Sequence, residues 1–119
     1  MILFVCSQGR IRSHTARNLA IKGGLDAEAC GTDRSAKITL TDNLLRCADL
    51  VFCMEYSHKK KVMKYAHADE SKVFVFGIED IYNCFDNELV FTLSNRLKQL
   101  GFDDISEKIM EGFMNERED

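Results

Sequence analysis

The sequence predicts an α/β fold in which one doubly wound sheet of four parallel strands is flanked by helices. Four apolar runs are spread along the chain, and helical patterns of apolar residues lie between and after them. The runs are continuously apolar rather than alternating, which is typical of strands that helices cover on both faces. The 119 residues suit one domain, residues 1–119, because a chain of this length buries enough surface for a single core.

The strands are predicted from the apolar runs at residues 2–5, 27–30, 50–54 and 73–78. A helix is predicted wherever apolar residues recur three or four positions apart. The four helical stripes are Ala16, Leu19 and Ala20; Leu44, Leu45 and Ala48; Leu89, Leu93, Leu97 and Leu100; and Ile105, Ile109, Met110 and Phe113. The third stripe stops at Gly101, a typical helix end, and residues 113–119 are predicted to be a frayed tail.

Charge and composition argue against several classes of function. The formal net charge of −3 disfavours a general nucleic-acid binder, which needs many basic contacts to phosphates. No apolar run approaches the roughly 18 residues that span a bilayer, and the N-terminus lacks the pattern of a signal peptide. The five cysteines form no CxxC or Cys/His pairing, so neither a disulfide framework nor a zinc site is expected. We therefore expect a soluble cytoplasmic protein without metal, cofactor, membrane or nucleic-acid partner.

The stretch CSQGRIRS connects the first predicted strand to the first predicted helix. Cys6 ends the strand, and the loop SQGRI leads into a helix that is predicted to begin near Ser13. Ligands of doubly wound sheets bind at the carboxyl ends of the strands, and the unpaired amides of a helix start form an anion site. The same field favours a thiolate at Cys6, which makes that sulfur a candidate nucleophile.

Three further residues of this stretch fit an anion site. Arg12 has a planar fork suited to two oxygens of a phosphate, and the hydroxyl of Ser13 can donate to the thiolate. Gly9 gives the loop the freedom to point its amides inward. Taken singly, Cys6 would be a small buried hydrophobe and Arg12 a solvated side chain. Their joint position at the ligand-binding end of the sheet favours the functional interpretation.

Four segments resemble the low-molecular-weight protein tyrosine phosphatases, particularly their short bacterial-type members. FVCSQGRIRSHTA is similar to the family's FVCxxNxxRSPTA, and CGT at residues 30–32 is similar to its AGT. ADLVFCMEYSHKKKV resembles ADLIxxME, and EDIYNCFDNELV resembles an acidic loop in which an Asp precedes Pro or Asp and then Tyr. The resemblance covers most of the chain. It implies a flavodoxin-like arrangement and the hydrolysis of phosphomonoesters, above all phosphotyrosine.

The resemblance also implies roles for single residues. Cys6 would be the nucleophile, Arg12 the phosphate clamp, Asp80 the general acid and base, and Tyr82 an aromatic wall of the pocket. A phosphocysteine would form and be hydrolysed without a metal. The implied phosphate-binding residues are Ser7, Gln8, Gly9, Arg10, Ile11, Arg12 and Ser13.

The chain departs from the family pattern at several positions. Gly9 stands where relatives commonly carry a bracing Asn, so we expect a more mobile loop and a slower enzyme. His14 replaces a proline, and Ile81 replaces the residue after the acid. Ile11 stands where many members have a second loop cysteine, which excludes a protective disulfide at that position. Arg10 adds a cation at the mouth of the site, either to favour an acidic substrate or simply as a solvated side chain.

Several polar residues have a structural interpretation beside a functional one. Asp86 is the rival general acid, but Asp-Asn-Glu-Leu before a leucine stripe predicts a helix N-cap whose carboxylate accepts from first-turn amides. The run His58 to Lys61 predicts a solvated helix face rather than a docking patch. Cys84 can reach the rim of the pocket. A packing role is nevertheless favoured for Cys84, Cys30, Cys47 and Cys53.

Three other functions remain open at this stage. Arsenate reductases share the fold and loop but need further cysteines for a disulfide relay, and Cys84 has no partner one or two helical turns away. A phosphocysteine carrier of sugar transport would lack the clamp, which the presence of Arg12 disfavours. A non-catalytic phosphate- or phosphopeptide-binding module is compatible with Gly9 but not favoured by the retention of Cys6 and Asp80. A sugar phosphate, a nucleotide or phosphoarginine also stays open as substrate, and the sequence does not predict the oligomeric state.

Overall fold

The computed structural model describes residues 1–118, and its sheet consists of four parallel strands. The strands are β1 (Ile2–Cys6), β2 (Ala27–Gly31), β3 (Leu50–Cys53) and β4 (Val73–Val75), in the order β2-β1-β3-β4. The doubly wound parallel sheet that the sequence predicts is therefore confirmed. All four strands lie within two or three residues of their predicted limits.

Each strand is followed by a helix. The helices are α1 (Arg12–Lys22), α2 (Asp42–Cys47), α3 (Tyr56–Val62), α4 (Asn87–Gln99) and α5 (Asp103–Glu118). A short 3-10 turn at Glu70–Lys72 precedes β4. No helix in the described part of the chain is long and apolar enough to cross a membrane.

Helices cover both faces of the sheet because successive strand residues point to opposite sides. Phe4 and Phe52 belong to a core cluster with apolar residues of α1, α4 and α5. Leu3, Val5 and Val51 belong to a second cluster, which includes apolar residues of α2 and α3. The continuous apolar character of the strands thus reflects two buried faces.

Aromatic rings fill the centre of the first cluster. The Phe52 ring stacks on Phe4 and Phe76 with centroid distances of 5.7 and 5.0 Å, and it meets Phe102 edge-on at 5.1 Å. Such offset and edge-on pairs each stabilise a core by about 0.5–1.5 kcal/mol beyond the area they bury. The packing fixes β1 and β3 side by side in the middle of the sheet.

The carboxyl ends of β1 and β3 lie at the switch point of the sheet, where connections depart to opposite sides. In the ladder, Cys6 is opposite Gly31 of β2, and Val5 is opposite Cys53 of β3. The chain therefore places Cys6 at the ligand-binding edge, as the sequence predicts.

The C-terminal segment differs from the prediction. The predicted frayed segment 113–119 is helical as far as Glu118, and Asp119 lies outside the described residues. Phe113 is buried in the first core cluster, and its ring meets that of Phe91 edge-on at 6.1 Å. Burial of this aromatic side chain stabilises the last turns of α5 in the helical conformation.

Candidate active site

The sulfur of Cys6 lies at the amino-terminal end of α1 and receives polar contacts from the loop. The side chain is 3% exposed. The backbone N–H of Gly9 donates to Sγ over 3.1 Å, and the Oγ of Ser13 lies 2.9 Å from Sγ. No side chain caps α1 at Ile11. The first-turn amides are therefore free of a side-chain cap, and they form the positive end of the helix dipole near Sγ. The sulfur therefore faces a backbone N–H and a hydroxyl at the amino-terminal end of a helix.

Two glycines allow the loop after β1 to pack against the end of β2. Gly9 has φ +69°, and a Cβ there would lie 3.1 Å from the carbonyl carbon of Cys30. A Cβ on Gly31 would lie 2.5 Å from the carbonyl oxygen of Ser7. The segment after β2 pairs with this loop, because the Thr32 amide donates to the Cys6 carbonyl over 2.9 Å. Close backbone approach therefore favours glycine at both positions, and the positive φ favours it further at Gly9.

Gln8 braces the loop from the side of β2. Its Nε2 donates to Oδ2 of Asp33 over 2.7 Å, and its Oε1 accepts from the hydroxyl of Ser35 over 3.2 Å. The Asp33 amide in turn donates to the Ser7 carbonyl over 2.9 Å. The sequence does not predict this brace, which lies next to the position where relatives commonly carry the bracing Asn.

Arg12 is buried, with 2% of its side chain exposed, and only part of its guanidinium is paired. Nη1 donates to Oε2 of Glu55 over 2.6 Å and to the carbonyl of Ile78 over 2.8 Å. Nε is buried and has no hydrogen-bond partner among the described residues. Its distance of 3.7 Å to Oδ1 of Asp80 is too long for a hydrogen bond. A buried N–H without an acceptor is costly, so this atom is suited to an oxygen that the chain does not supply.

Glu55 and His58 are site residues that the sequence analysis did not find. Glu55 precedes α3 and holds Arg12, while His58 on the first turn of α3 is 2% exposed. The Glu55 amide donates to Nδ1 of His58 over 3.0 Å, and Nε2 of His58 lies 2.9 Å from the hydroxyl of Ser7. The predicted solvated helix face is therefore wrong for His58, although Lys60 and Lys61 are exposed.

The titration of His58 follows from this burial. Desolvation lowers the pKa of His58 below its ordinary value of 6.5, and the neighbouring Arg12 guanidinium lowers it further. The ring is therefore neutral at neutral pH. Since Nδ1 accepts from Glu55, the proton of the neutral ring is assigned to Nε2, which donates to Ser7.

Asp80 and the loop after β1 line one cavity of about 230 Å³. The lining residues are Cys6, Gln8, Arg10, Ile11, Arg12 and Asp80. The Asp80 side chain is 61% exposed, so it meets both the cavity and solvent. The fold thus brings Asp80 together with the other two predicted catalytic side chains, Cys6 and Arg12, which lie far from it in the sequence.

The role of Tyr82 as an aromatic wall, which the family resemblance implies, stays a prediction. Its side chain is half-buried and packs against the first core cluster, and it is not among the residues that line this cavity in the described part of the chain. The apolar side chain in the cavity is Ile11. The backbone after Asp80 turns Tyr82 toward the core.

Asp86 occupies the predicted N-cap of α4, but its contact differs from the prediction. Its Oδ2 accepts from the amide of Asn83 over 2.8 Å, and it makes no side-chain hydrogen bond to the first turn of the helix. The carboxylate closes the preceding turn instead. Asp86 is not among the residues that line the cavity with Cys6.

Two contacts join the segment before α4, residues 79–86, to the loop after β1 and to α1. The thiol of Cys84 donates to the carbonyl of Arg10 over 3.1 Å, and the Phe85 amide donates to the hydroxyl of Thr15 over 3.2 Å. Phe85 has φ +61°, a sparsely populated conformation for a side-chain-bearing residue. Cys84 therefore lies at the rim, as one interpretation of the sequence allowed.

The other cysteines divide into buried and exposed thiols. Cys30 and Cys53 are packed in the second core cluster, and burial raises the pKa of each to about 12. The predicted packing role is confirmed for these two. It is wrong for Cys47 and Cys84, which are exposed. Cys47 ends the short helix α2 with its side chain toward solvent, and Cys84 is in the irregular segment before α4.

The chain is similar over nearly its whole length to solved phosphatases. The tyrosine phosphatase Wzb from Escherichia coli K30, solved in complex with phosphate, superposes with a TM-score of 0.59 at 21% identity, covering 98% of this chain and 95% of that one. The arginine phosphatase YwlE from Geobacillus stearothermophilus superposes with a TM-score of 0.59 at 17% identity, covering 98% and 94%.

A low molecular weight protein tyrosine phosphatase from T. tengcongensis gives a TM-score of 0.57 at 18% identity, covering 92% of this chain and 97% of that one. No protein-family model and no curated protein matches the sequence. The structural similarity shows that this chain has the fold of the low-molecular-weight phosphatases.

Proposed function

We propose that this chain is a cysteine-dependent phosphomonoester hydrolase, with phosphotyrosine in proteins as its substrate class. The observation that carries the proposal is the buried Nε of Arg12, which lacks an acceptor in the cavity that also holds Cys6 and Asp80. Phosphate oxygens are the acceptors that match an arginine fork. The fold is that of solved phosphatases, which supports the same chemistry.

Binding comes first in the proposed reaction. The phosphate dianion of the substrate enters the cavity, where Arg12 donates from Nε and the amides of residues 7–12 donate to its oxygens. Nη1 of the guanidinium already donates to the Glu55 carboxylate and to the Ile78 carbonyl. Little side-chain reorganisation is then needed, and preorganised donors of this kind are the largest source of transition-state stabilisation in most enzymes.

Attack by sulfur forms the covalent intermediate. The Cys6 thiolate forms a bond to phosphorus in line with the leaving oxygen, and the phosphorus–oxygen bond breaks with its electron pair going to that oxygen. The protonated carboxyl of Asp80 gives its proton to the oxygen, so the alcohol or phenol leaves neutral. The phosphoryl group is now on Sγ as phosphocysteine.

Water completes the cycle. The Asp80 carboxylate takes a proton from a water molecule, whose oxygen attacks phosphorus on the side opposite sulfur. The sulfur–phosphorus bond breaks, the thiolate is restored, and inorganic phosphate leaves. Arg12 and the loop amides stay on the phosphoryl oxygens through both steps. The exposure of Asp80 gives this water access to the carboxylate.

The proposed substrate class rests on the charge at the cavity and on the solved phosphatases of similar fold. Tyrosine phosphatases and an arginine phosphatase both share this fold. Arg10 lines the cavity, and its side chain is exposed. Its cation disfavours the guanidinium of a phosphoarginine and favours a substrate with acidic residues near the phosphate.

The proposal includes a cytoplasmic location, since the five cysteines are free thiols and thiols persist in reducing compartments.

Turnover of matched substrates tests the proposal. The native chain is expected to hydrolyse p-nitrophenyl phosphate and a phosphotyrosine peptide, and to prefer that peptide to its phosphoarginine counterpart. Cys6→Ser should lower kcat by roughly 10⁴-fold or more, since the nucleophile is lost. An acidic sequence around the phosphotyrosine should raise kcat/KM for the native chain more than for Arg10→Gln.

The same panel separates the alternatives. Arsenate reduction coupled to thioredoxin, without phosphatase turnover, would replace the proposal by the reductase. Phosphate binding without turnover of any substrate would indicate a non-catalytic binding module. Preference for the phosphoarginine peptide would keep the phosphatase and overturn the assigned substrate class.

A further inference from the structure

His58 connects two parts of the site that approach each other from different strands. Its imidazole lies between Ser7, which directly follows Cys6, and Glu55, which follows β3. Both contacts are of ordinary hydrogen-bond length, at 2.9 and 3.0 Å. With Nδ1 as acceptor and Nε2 as donor, the neutral ring satisfies both neighbours at once.

Each neighbour of the ring lies next to a residue of the proposed reaction, since Ser7 follows Cys6 in the chain and Glu55 contacts Arg12. The carbonyl of Ser7 accepts from the Asp33 amide, and its hydroxyl accepts from His58, which leaves the hydroxyl proton of Ser7 free to donate. The carboxylate of Glu55 holds Nη1 of Arg12 over 2.6 Å. One buried imidazole thus links the loop that carries the nucleophile to the residue that orients the clamp.

We propose that His58 is a positioning residue of the phosphatase reaction, whose neutral imidazole fixes Ser7 and Glu55 relative to each other, and whose protonation breaks the Glu55 contact. This inference rests on the proposed function. A protonated ring carries hydrogen on Nδ1 and cannot accept from the Glu55 amide. The two N–H groups would then face each other, and Glu55 would lose one of the contacts that fix its backbone beside Arg12, while its carbonyl would keep those from the amides of His58 and Lys59.

The charges around the ring determine the direction of the pH effect. Arg12 and Lys61 face His58 with positive charge, and Glu55 and Asp33 face it with negative charge. Burial and Arg12 are the leading causes that hold the pKa below 6.5. The link between Ser7 and Glu55 is therefore complete above pH 6.5 and is lost as the pH falls through the lower pKa of the folded state.

A double-mutant cycle tests whether the contact between His58 and Ser7 contributes to turnover. His58→Asn keeps an oxygen that can accept from the Glu55 amide but is too short to reach Ser7, and Ser7→Ala removes the same contact from the other side. Each is expected to lower kcat/KM for p-nitrophenyl phosphate about tenfold, since misplacing a reacting group by a fraction of an ångström is costly.

The double variant should be no slower than the slower single variant, because both changes remove one interaction. Multiplicative losses would show that the two residues act independently and would overturn the positioning role. Measurement well below the melting temperature of every variant keeps unfolding out of the comparison.

The pH dependence tests the contact between His58 and Glu55. His58→Gln keeps an N–H donor that can reach Ser7 but has no acceptor at the position of Nδ1. The ratio of kcat/KM between the native chain and His58→Gln should be about tenfold near pH 8 and fall toward one as the pH falls below 6.5 through the lowered pKa of His58. Ionisation of the substrate affects both proteins alike and cancels in the ratio. A ratio that is constant over this range would contradict the inference.

Phosphate binding separates failure of this inference from failure of the proposed function. If the native chain hydrolyses nothing, the proposed function fails, and the affinity for inorganic phosphate becomes the measurement for His58. The native chain should then bind phosphate more tightly than His58→Gln at neutral pH, with the difference vanishing at acid pH. Equal affinities, or no phosphate binding by either protein, would overturn the positioning role.

Discussion

The phosphate loop and the acidic loop meet at one cavity but are held in different ways. The phosphate loop, residues 6–12, is buried at Cys6 and Arg12 and is bonded to the ends of β2 and β3. The acidic loop, residues 79–86, is exposed at Asp80 and is joined to the phosphate-loop side through Cys84 and Phe85. In the proposed reaction, anion binding therefore belongs to the folded core, whereas proton transfer belongs to a solvent-facing segment.

This difference has a physical reason. A phosphate dianion must be held by fixed dipoles and a desolvated cation to be bound strongly. A general acid that later activates water needs access to solvent and to two successive proton positions. Substitution of Asp80 should therefore affect turnover alone, while substitutions in the phosphate loop should affect turnover and stability together.

The largest expected effect separates chemistry from stability at Asp80. Asp80→Asn should lower kcat by about 10²–10⁴-fold, since the proton donor is lost. The free energy of unfolding should change by less than about 0.5 kcal/mol, because the side chain is exposed. The loss should be greater for phenyl phosphate than for p-nitrophenyl phosphate, whose leaving group needs less protonation.

Asp86→Asn is the matched control for the same loop. Its asparagine oxygen can still accept from the Asn83 amide, and Asn is a favourable N-cap residue. Activity within about twofold of the native chain is expected, on the scale of a surface substitution. A loss at Asp86 equal to that at Asp80 would move the general acid to Asp86.

An intermediate effect is expected where β2 touches the phosphate loop. Gly31→Ala would place a methyl group 2.5 Å from the Ser7 carbonyl oxygen, and neither backbone can yield cheaply. The free energy of unfolding should fall by about 1–3 kcal/mol, with a loss of kcat/KM in the same variant, as measured by denaturant unfolding and steady-state kinetics. Gly24→Ala is a useful reference, because its Cβ would meet nothing within 4 Å. Its loss of stability therefore measures only the cost of a side chain at a φ of +97°. A stability loss at Gly31 no larger than at Gly24 would remove the close approach as the cause.

The smallest effect is expected at the Gln8 brace. Gln8→Ala removes a hydrogen bond to the Asp33 carboxylate and one from Ser35, at a cost of about 1–2 kcal/mol in unfolding free energy. Turnover should fall severalfold, because the loop amides are held less firmly. Gln8→Glu, which sets two carboxylates side by side, should be worse than Gln8→Ala if the brace is formed in solution. The reverse order would indicate that the contact is absent there.

The sequence predicts the fold and the candidate catalytic side chains for a common reason. Continuous apolar runs and helical stripes determine the sheet, and the carboxyl ends of its strands determine where Cys6 lies. The placement of Arg12 and Asp80 in one site follows from the family resemblance of two segments that are far apart in the sequence. Both kinds of inference use patterns that are local in sequence.

The residues that the sequence does not reveal depend on contacts across the sheet edge. Glu55 and His58 reach the phosphate loop because β3 ends beside β1, and the basic run after His58 gives them the appearance of a solvated helix. Glu55 directly after a buried strand, at the same edge as Cys6, is the signal that could have found them. The packing of Tyr82 against the first core cluster could not be predicted either, because the direction of a side chain in an irregular loop is not encoded by periodicity.

Detection of the covalent intermediate tests the central claim most directly. The native chain and Asp80→Asn are mixed with p-nitrophenyl phosphate, quenched in acid and examined by peptide mass spectrometry. A phosphoryl group on Cys6 is predicted, with a greater amount in Asp80→Asn because hydrolysis of the intermediate is slowed. Turnover by the native chain with the phosphoryl group on another residue, or undiminished turnover by a chain whose Cys6 is alkylated, would contradict the account.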